Sequence, residues 1–414
     1  MFFEKLNNLH PATIYKFVSA SRSLGMGCHA TIYSLFLKQI GVSQDRIALL
    51  NSLFWLALIL SELPTGMLAD GRSRAWSIKV GMLTMFISVL SYSLAQGFWS
   101  ALAAEVMIGV ALAFLSGAEQ AWLTDALSAR DEVKSLKNVY ASATVWSAAA
   151  MLIGGVAGDL MSQAFGFRMT WVLSASALLF AFGAAYRCMG TQGEPAYRLT
   201  EMQALKASFK ALKLNSGLLW VVLAAMTLGF INPFNHFWNQ FFEPRLHGHS
   251  LSWIWIPLYG SCALSAVIVR RLKFSRGREA AAMLGMLGLA GLGLTFVGHF
   301  PGLTCPLAIT VIHEIGRGAY VPLADVFVQR RIESGYRATY GSLHSFLGRM
   351  GNMTVLASVW FFTRGIPDSE SKIVSIWTVC GALLVLCILA LFLFRPRSLL
   401  SEIKIKRGSL PAQS

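Results

Sequence analysis

Long apolar runs separated by short polar connections repeat along the whole 414-residue chain. Most runs are apolar all round rather than along one stripe, which suits helices surrounded by lipid and by one another. Each is long enough to cross a bilayer as a helix. Twelve such spans are predicted, near 13–36, 46–69, 75–95, 98–126, 138–160, 168–187, 216–242, 252–269, 279–298, 303–327, 340–363 and 372–394. The alternating ten-residue pattern of a membrane barrel does not occur. Short connections make sequence neighbours antiparallel.

Composition agrees with that pattern. The chain is 55% hydrophobic and 13% charged, whereas soluble domains carry about 25% charged residues. An ordinary cytosolic enzyme, a disulfide scaffold and a disordered regulator are excluded. The net charge of +15 is spread in small groups between spans, not clustered along one face as in a nucleic-acid binder, so no nucleic-acid partner is expected. Of the 35 Lys and Arg, 25 fall on the side that holds both termini, six on the opposite side and four inside spans. The positive-inside rule then places both termini in the cytoplasm. The six cysteines show no metal or redox spacing, His247 and His249 lack a third ligand, and no phosphate-binding loop is present. No cofactor is expected.

The longest connection, 190–215, divides the chain into six plus six spans. An N-terminal bundle (1–189), a linker with an amphipathic stretch from Tyr197 to Leu214, a C-terminal bundle (216–394) and a basic tail (395–414) follow from this division. Lys206, Lys210 and Lys213 suit the linker to an anionic leaflet. Gly117-Ala118 and Gly318-Ala319 hint at an internal repeat offset by 201 residues.

Span 2 closes on Ser61-Glu62-Leu63-Pro64-Thr65-Gly66-Met67-Leu68-Ala69-Asp70-Gly71-Arg72-Ser73-Arg74. A carboxylate here can cap the N-terminus of a helix from the other half, where unpaired N–H groups and the helix dipole favour negative charge. The expected partner is span 11, near Arg337. The segment resembles the G-x-L-A-D-R-x-G-R-R signature of the major facilitator superfamily. Gly66, Leu68, Ala69, Asp70 and Arg74 match, while Gly71, Ser73 and Ala75 depart from it. Ser116-Gly117-Ala118-Glu119-Gln120 in span 4 and Arg337-Ala338-Thr339 in span 11 are similar to bacterial transporters of that kind. Gly154, Gly155 and Gly158 match part of the antiporter signature of span 5 without its proline. The resemblance implies an all-α membrane protein, two pseudo-symmetric six-helix bundles around a central cavity lined by spans 1, 4, 7 and 10. Glu62, Gly66, Asp70, Arg74 and Arg337 would then gate its cytoplasmic end.

An ionisable group in hydrocarbon costs about 2.5–3.5 kcal/mol at a helix centre, so its position is informative. Lys16 and Arg22 fall in span 1, Glu105 and Glu119 in span 4, His236 in span 7, and His313, Glu314 and Arg317 in span 10. The interiors of spans 3, 6, 9 and 12 are free of charge apart from Lys79. His313, Glu314 and Arg317 share one helix face. They read either as a proton- or substrate-binding network or as a structural ion-pair network, and Glu119 reads as a lone carboxylate. Span 7 mixes Asn235, His236, Trp238 and Asn239 around Pro233, a break that membrane depth tolerates only beside a cavity or neighbour. An interfacial aromatic belt accounts for Trp253 and Trp255.

The expectation is a monomeric secondary transporter of a bacterial inner membrane. It would move a small amphiphilic organic molecule (a drug or metabolite, a siderophore among the options) by alternating access, with proton-coupled export. Arg22, Asn235, His236, Trp238 and Arg317 are the candidates for substrate contact, and Glu119, Glu314 and His313 for proton coupling. Proton-coupled import of an organic anion is the alternative, and an intramembrane enzyme is a rival of another class. The expected partners are the substrate, protons and membrane lipids.

Overall fold

A computed structural model describes residues 9–190, 216–271, 279–331 and 337–396. The amphipathic stretch 197–214 and the tail beyond 396 lie outside the described residues.

Among the described residues twelve helical traverses appear in the expected order. Span 1 is Pro11–Ala30 continued by Tyr33–Gln39; span 2 is Gln44–Gly71, span 3 Arg74–Ser93, and span 4 Phe98–Leu115 followed by Ala118–Ser128. Spans 5 and 6 are Leu136–Phe165 and Phe167–Cys188. Span 7 runs through Ser216–Met226, a tighter turn at Thr227–Ile231, and Asn232–Phe242. Spans 8 to 12 are Ser252–Arg271, Glu279–Phe296, Thr304–Arg331, Arg337–Thr363 and Glu370–Leu393. There is no strand among the described residues. Eight traverses meet a membrane-span criterion by length and apolarity. The other four, spans 1, 2, 10 and 11, have the length but carry Arg22, Glu62, Glu314 and Arg349 along their course.

Packing makes two six-helix bundles. Span 1 lies on 5 and 6, span 2 on 4, and span 3 on 4 and 6; span 7 lies on 11, span 8 on 10, and span 9 on 10 and 12. Span 2 meets 11 and span 5 meets 8 across the bundles. The span 5 glycines let backbones touch, as small residues do in membrane interfaces. A Cβ at Gly154 would overlap the Leu24 carbonyl and one at Gly158 that of Cys28, whereas Gly155 abuts the Trp255 indole of the other bundle.

The two irregular traverses have local causes. Span 4 bends where Gly117 adopts φ +77, a left-handed conformation that glycine takes without steric cost. In span 7, Pro233 sits in the first turn of Asn232–Phe242, after the tighter turn, where its missing N–H costs no helical bond. Gly117 and Gly318 are not structural equivalents, because Gly318 lies inside an unbroken helix against Cys262 and Ser265.

Candidate functional site

Three arginines lie at membrane depth. At 1.5 Å per residue, Arg22 is about 17 Å from the start of its helix, Arg349 about 18 Å from its own, and Arg317 about 21 Å from the end of span 10. Each has a carboxylate. Arg22 donates to Glu119 at 3.0 Å, joining spans 1 and 4. Arg317 donates from Nε and Nη2 to Glu314, at 2.8 and 2.5 Å, within span 10. Arg349 of span 11 pairs with Glu62 of span 2 and also donates to Ser116 at 3.3 Å. Glu119 is therefore not a lone carboxylate: its partner is 97 residues away in sequence, which no local pattern reveals.

The first two pairs have similar surroundings in opposite bundles. Tyr15 and Tyr140, edge to face at 5.8 Å, border Arg22–Glu119, and Tyr259 and Cys262 border Arg317–Glu314. Arg22 and Arg317 keep 24% and 26% of their side chains accessible, while Glu119 keeps 11% and Glu314 none. In each pair the guanidinium keeps more accessible surface than the carboxylate. One oxygen of each carboxylate has no hydrogen-bond donor.

The remaining candidates separate. Asn235 is exposed. The His236 ring lies 6.0 Å from that of Tyr33 across the bundles, and its Nε2 has no partner. His313 is turned toward span 9, with Nδ1 2.7 Å from the Ala290 carbonyl. Trp238 is buried and stacks on Trp255 at 6.1 Å. Trp255 donates to the Leu152 carbonyl of span 5 at 3.1 Å, so it is a contact between bundles and not an interfacial ring. Of the gate residues, Arg74 binds Asp125 and the Ala121 carbonyl inside the N-terminal bundle, and Gly66 is half-buried on span 2. The side chains of Asp70 and Arg337 lie outside the described residues.

The sequence did not point to the contacts that close the sparsely charged end, where the connections 40–43, 243–251 and 364–369 lie. Asp159, in the last two turns of span 5, accepts from the Ser250 hydroxyl and, at 2.7 and 2.6 Å, from the N–H and hydroxyl of Ser252, where span 8 begins. Asp368, before span 12, accepts from the N–H of Gln44, the first residue of span 2, at 3.1 Å to both oxygens. Each bundle thus caps a helix of the other. Gln44 and Ser252 are 208 residues apart, and Asp159 and Asp368 are 209 apart, so the caps are pseudo-symmetric mates. Between them, Asn239 donates to the Thr31 carbonyl at 2.9 Å and accepts from Ser34, and Gln240 donates to the Ser34 carbonyl at 3.1 Å. Lys372 lies 3.6 Å from Asp45 and 3.2 Å from Asp368. A serine two residues before a helix start and an acid at a span end are the available sequence cues, but neither says which helix it meets.

The family model of the Major Facilitator Superfamily matches residues 17–356. The chain belongs to the major facilitator superfamily. An uncharacterized transporter of that superfamily type from Bacillus subtilis (strain 168), YxaM, is 22% identical over 412 residues, covering 95% of this chain and 98% of the relative. Among solved structures, the nucleoside transporter NupG superposes with a TM-score of 0.73 at 13% identity, over 93% of this chain and 99% of that one. The peptide transporter POT in complex with sulfate gives 0.71 at 12%, over 94% of each chain. A bacterial homolog of the human lysosomal transporter Spinster, inward-facing and unoccupied, gives 0.65 at 16%, over 92% and 94%. These likenesses establish the fold of a multi-pass membrane transporter. They point to transport rather than to enzyme chemistry.

Proposed function

We propose that this superfamily member is a proton-coupled exporter of a small amphiphilic organic molecule, working by alternating access in a bacterial inner membrane with both termini cytoplasmic. The observation that carries the reading is the pair of Arg–Glu sites, Arg22–Glu119 and Arg317–Glu314, one on each bundle. Both lie behind an end sealed by reciprocal helix caps. A bound molecule that draws a guanidinium away leaves a desolvated carboxylate, which takes a proton instead of staying charged. Substrate and proton binding are thereby linked. Asn235 and His236 add amide and imidazole groups beside aromatic rings, the mixture an amphiphilic ligand needs. In the other state the basic end would close through the Asp70 and Arg337 region, with Glu62–Arg349, already formed here, as the pivot.

Accessible guanidinium surface on Arg22 and Arg317 favours one second reading, proton-coupled import of an organic anion. A thermal-stabilisation screen of amphiphilic compounds and organic anions in detergent finds ligands, because binding to the folded state alone raises its apparent stability. The ligands are then tested in proteoliposomes under an imposed pH gradient. The expected result is substrate-dependent proton flux that falls at least tenfold in Glu119→Gln and Glu314→Gln. Flux untouched in both variants would remove the proposed coupling.

A further inference from the structure

Among the buried carboxyl groups of the membrane region, Glu105 differs from Glu119 and Glu314. It lies in span 4, about 10 Å from the sparsely charged end of that helix, and only 5% of it is exposed. No cation is within ion-pairing reach among the described residues. It accepts from the Tyr92 hydroxyl, and the Tyr33 hydroxyl sits beside both groups. Asn51 of span 2 donates to Tyr33 at 3.0 Å. From span 6, Trp171 stacks on Tyr92 at 4.2 Å, and His29 of span 1 stacks on the far face of that indole at 4.6 Å. From span 7, His236 approaches Tyr33. The nearby cations are engaged elsewhere: Arg46 lies over the Phe98 ring at 5.7 Å, and Arg168 donates to the carbonyls of Ser93 and Ala95.

We infer that Glu105, with Tyr33 and Tyr92, is a proton-binding site separate from the two Arg–Glu pairs, and that it carries its proton while the sparsely charged end is sealed. The inference rests on the transport reading above for its purpose, not for its chemistry. A buried carboxylate without a counter-ion is costly, and protonation removes that cost. The neutral acid still accepts from Tyr92 through one oxygen and gains an O–H donor on the other. Glu119 and Glu314, by contrast, have arginine partners.

Tyr33 couples the site to the seal. It follows Thr31 and precedes Ser34, and both of those residues bind Asn239 of the other bundle. When the bundles part at this end, His236 and Asn239 leave, water reaches the hydroxyls, and the carboxyl gives its proton to that water. The balance is one proton between Glu105 and external water, with no other bond made or broken. Acid therefore favours the sealed form, and that preference is lost as the pH rises.

Infrared pH-difference spectra of the full chain in phosphatidylcholine liposomes test this directly. The wild type is expected to lose a protonated-carboxyl C=O band as pH rises. Glu105→Gln, which keeps the shape and the acceptor, should lack that band, and Glu119→Gln should retain it. Tyr92→Phe keeps the ring on Trp171 and should move the midpoint of the band, which covers the case in which Glu105→Gln does not fold. In Asp159→Ala/Asp368→Ala, where the seal is weakened, the midpoint should fall by about one pH unit, tenfold in proton affinity. An unchanged band in Glu105→Gln would overturn the site, and an unmoved midpoint in the double variant would overturn its link to the seal. Either failure leaves the flux test of Glu119 and Glu314 intact, so the two proposals fail separately.

Discussion

The two ends of the molecule join the same two bundles by different means. At the sparsely charged end the ties are carboxylates on helix N-termini, amides on carbonyls, stacked indoles and the Lys372–Asp45 ion pair, with spans 5 and 8 meeting at residues 152–159 and 250–255. Nearer the basic end, among the described residues, the bundles are tied by the Glu62–Arg349 ion pair with Ser116. Arg74–Asp125 spends its charge inside one bundle. The helix caps satisfy N–H groups that water can satisfy equally well once the end opens, so breaking them strands nothing. An ion pair broken at membrane depth leaves two charges to solvate. The end with many small, water-replaceable contacts suits a gate. The end held by the Glu62–Arg349 pair suits a pivot or second latch.

Variants can break that contrast, beginning with the largest effect. Gly155→Leu puts a side chain where the Trp255 ring lies. Overpacking of this kind costs about 3 kcal/mol, enough to cut the sealed population about a hundredfold. Cross-bundle distances between spin labels should lengthen at this end while each bundle stays helical. Glu62→Gln acts in the same direction and more weakly. Its pair joins the bundles in this same form and is partly exposed, 19% for Arg349 and 23% for Glu62, so the tie is worth about 1 kcal/mol, and the form sealed at the sparsely charged end should fall by about fivefold at most. Arg74→Ala should have the smallest conformational effect. It removes a contact within one bundle, so the thermal transition drops while cross-bundle distances stay fixed.

Much of the architecture was legible in the chain itself. All twelve traverses lie within a few residues of their predicted bounds, because a lipid setting allows few alternatives to apolar helices of this length. The confinement of Arg22, Glu119, His236, Glu314 and Arg317 to spans 1, 4, 7 and 10 was also readable, since charge at that depth needs a reason to be there. Pairing was not readable. Arg22 finds Glu119 through a tertiary crossing, and Asp159 and Asp368 look like ordinary span-end acids until the opposite helix starts are placed beside them. The repeat inferred from Gly117 and Gly318 failed for a related reason: two identical dipeptides sit in different backbone settings, whereas the real symmetry lies in the caps, where the residue types differ but the geometry recurs. Trp238 and Trp255 show the same limit, because aromatic residues serve a ligand, a lipid interface or a packed seam with equal ease.

The central claim is that two reciprocal carboxylate caps hold the sparsely charged end shut. The most direct test is the distance between spin labels at Gln96 and Phe300, exposed positions at that end on opposite bundles, with native cysteines replaced and the protein in liposomes. The wild type should give a dominant short distance. Asp159→Ala/Asp368→Ala, losing roughly 1 kcal/mol per cap, should shift about tenfold or more of the population ratio to a longer one. The same distribution in both proteins would contradict the account.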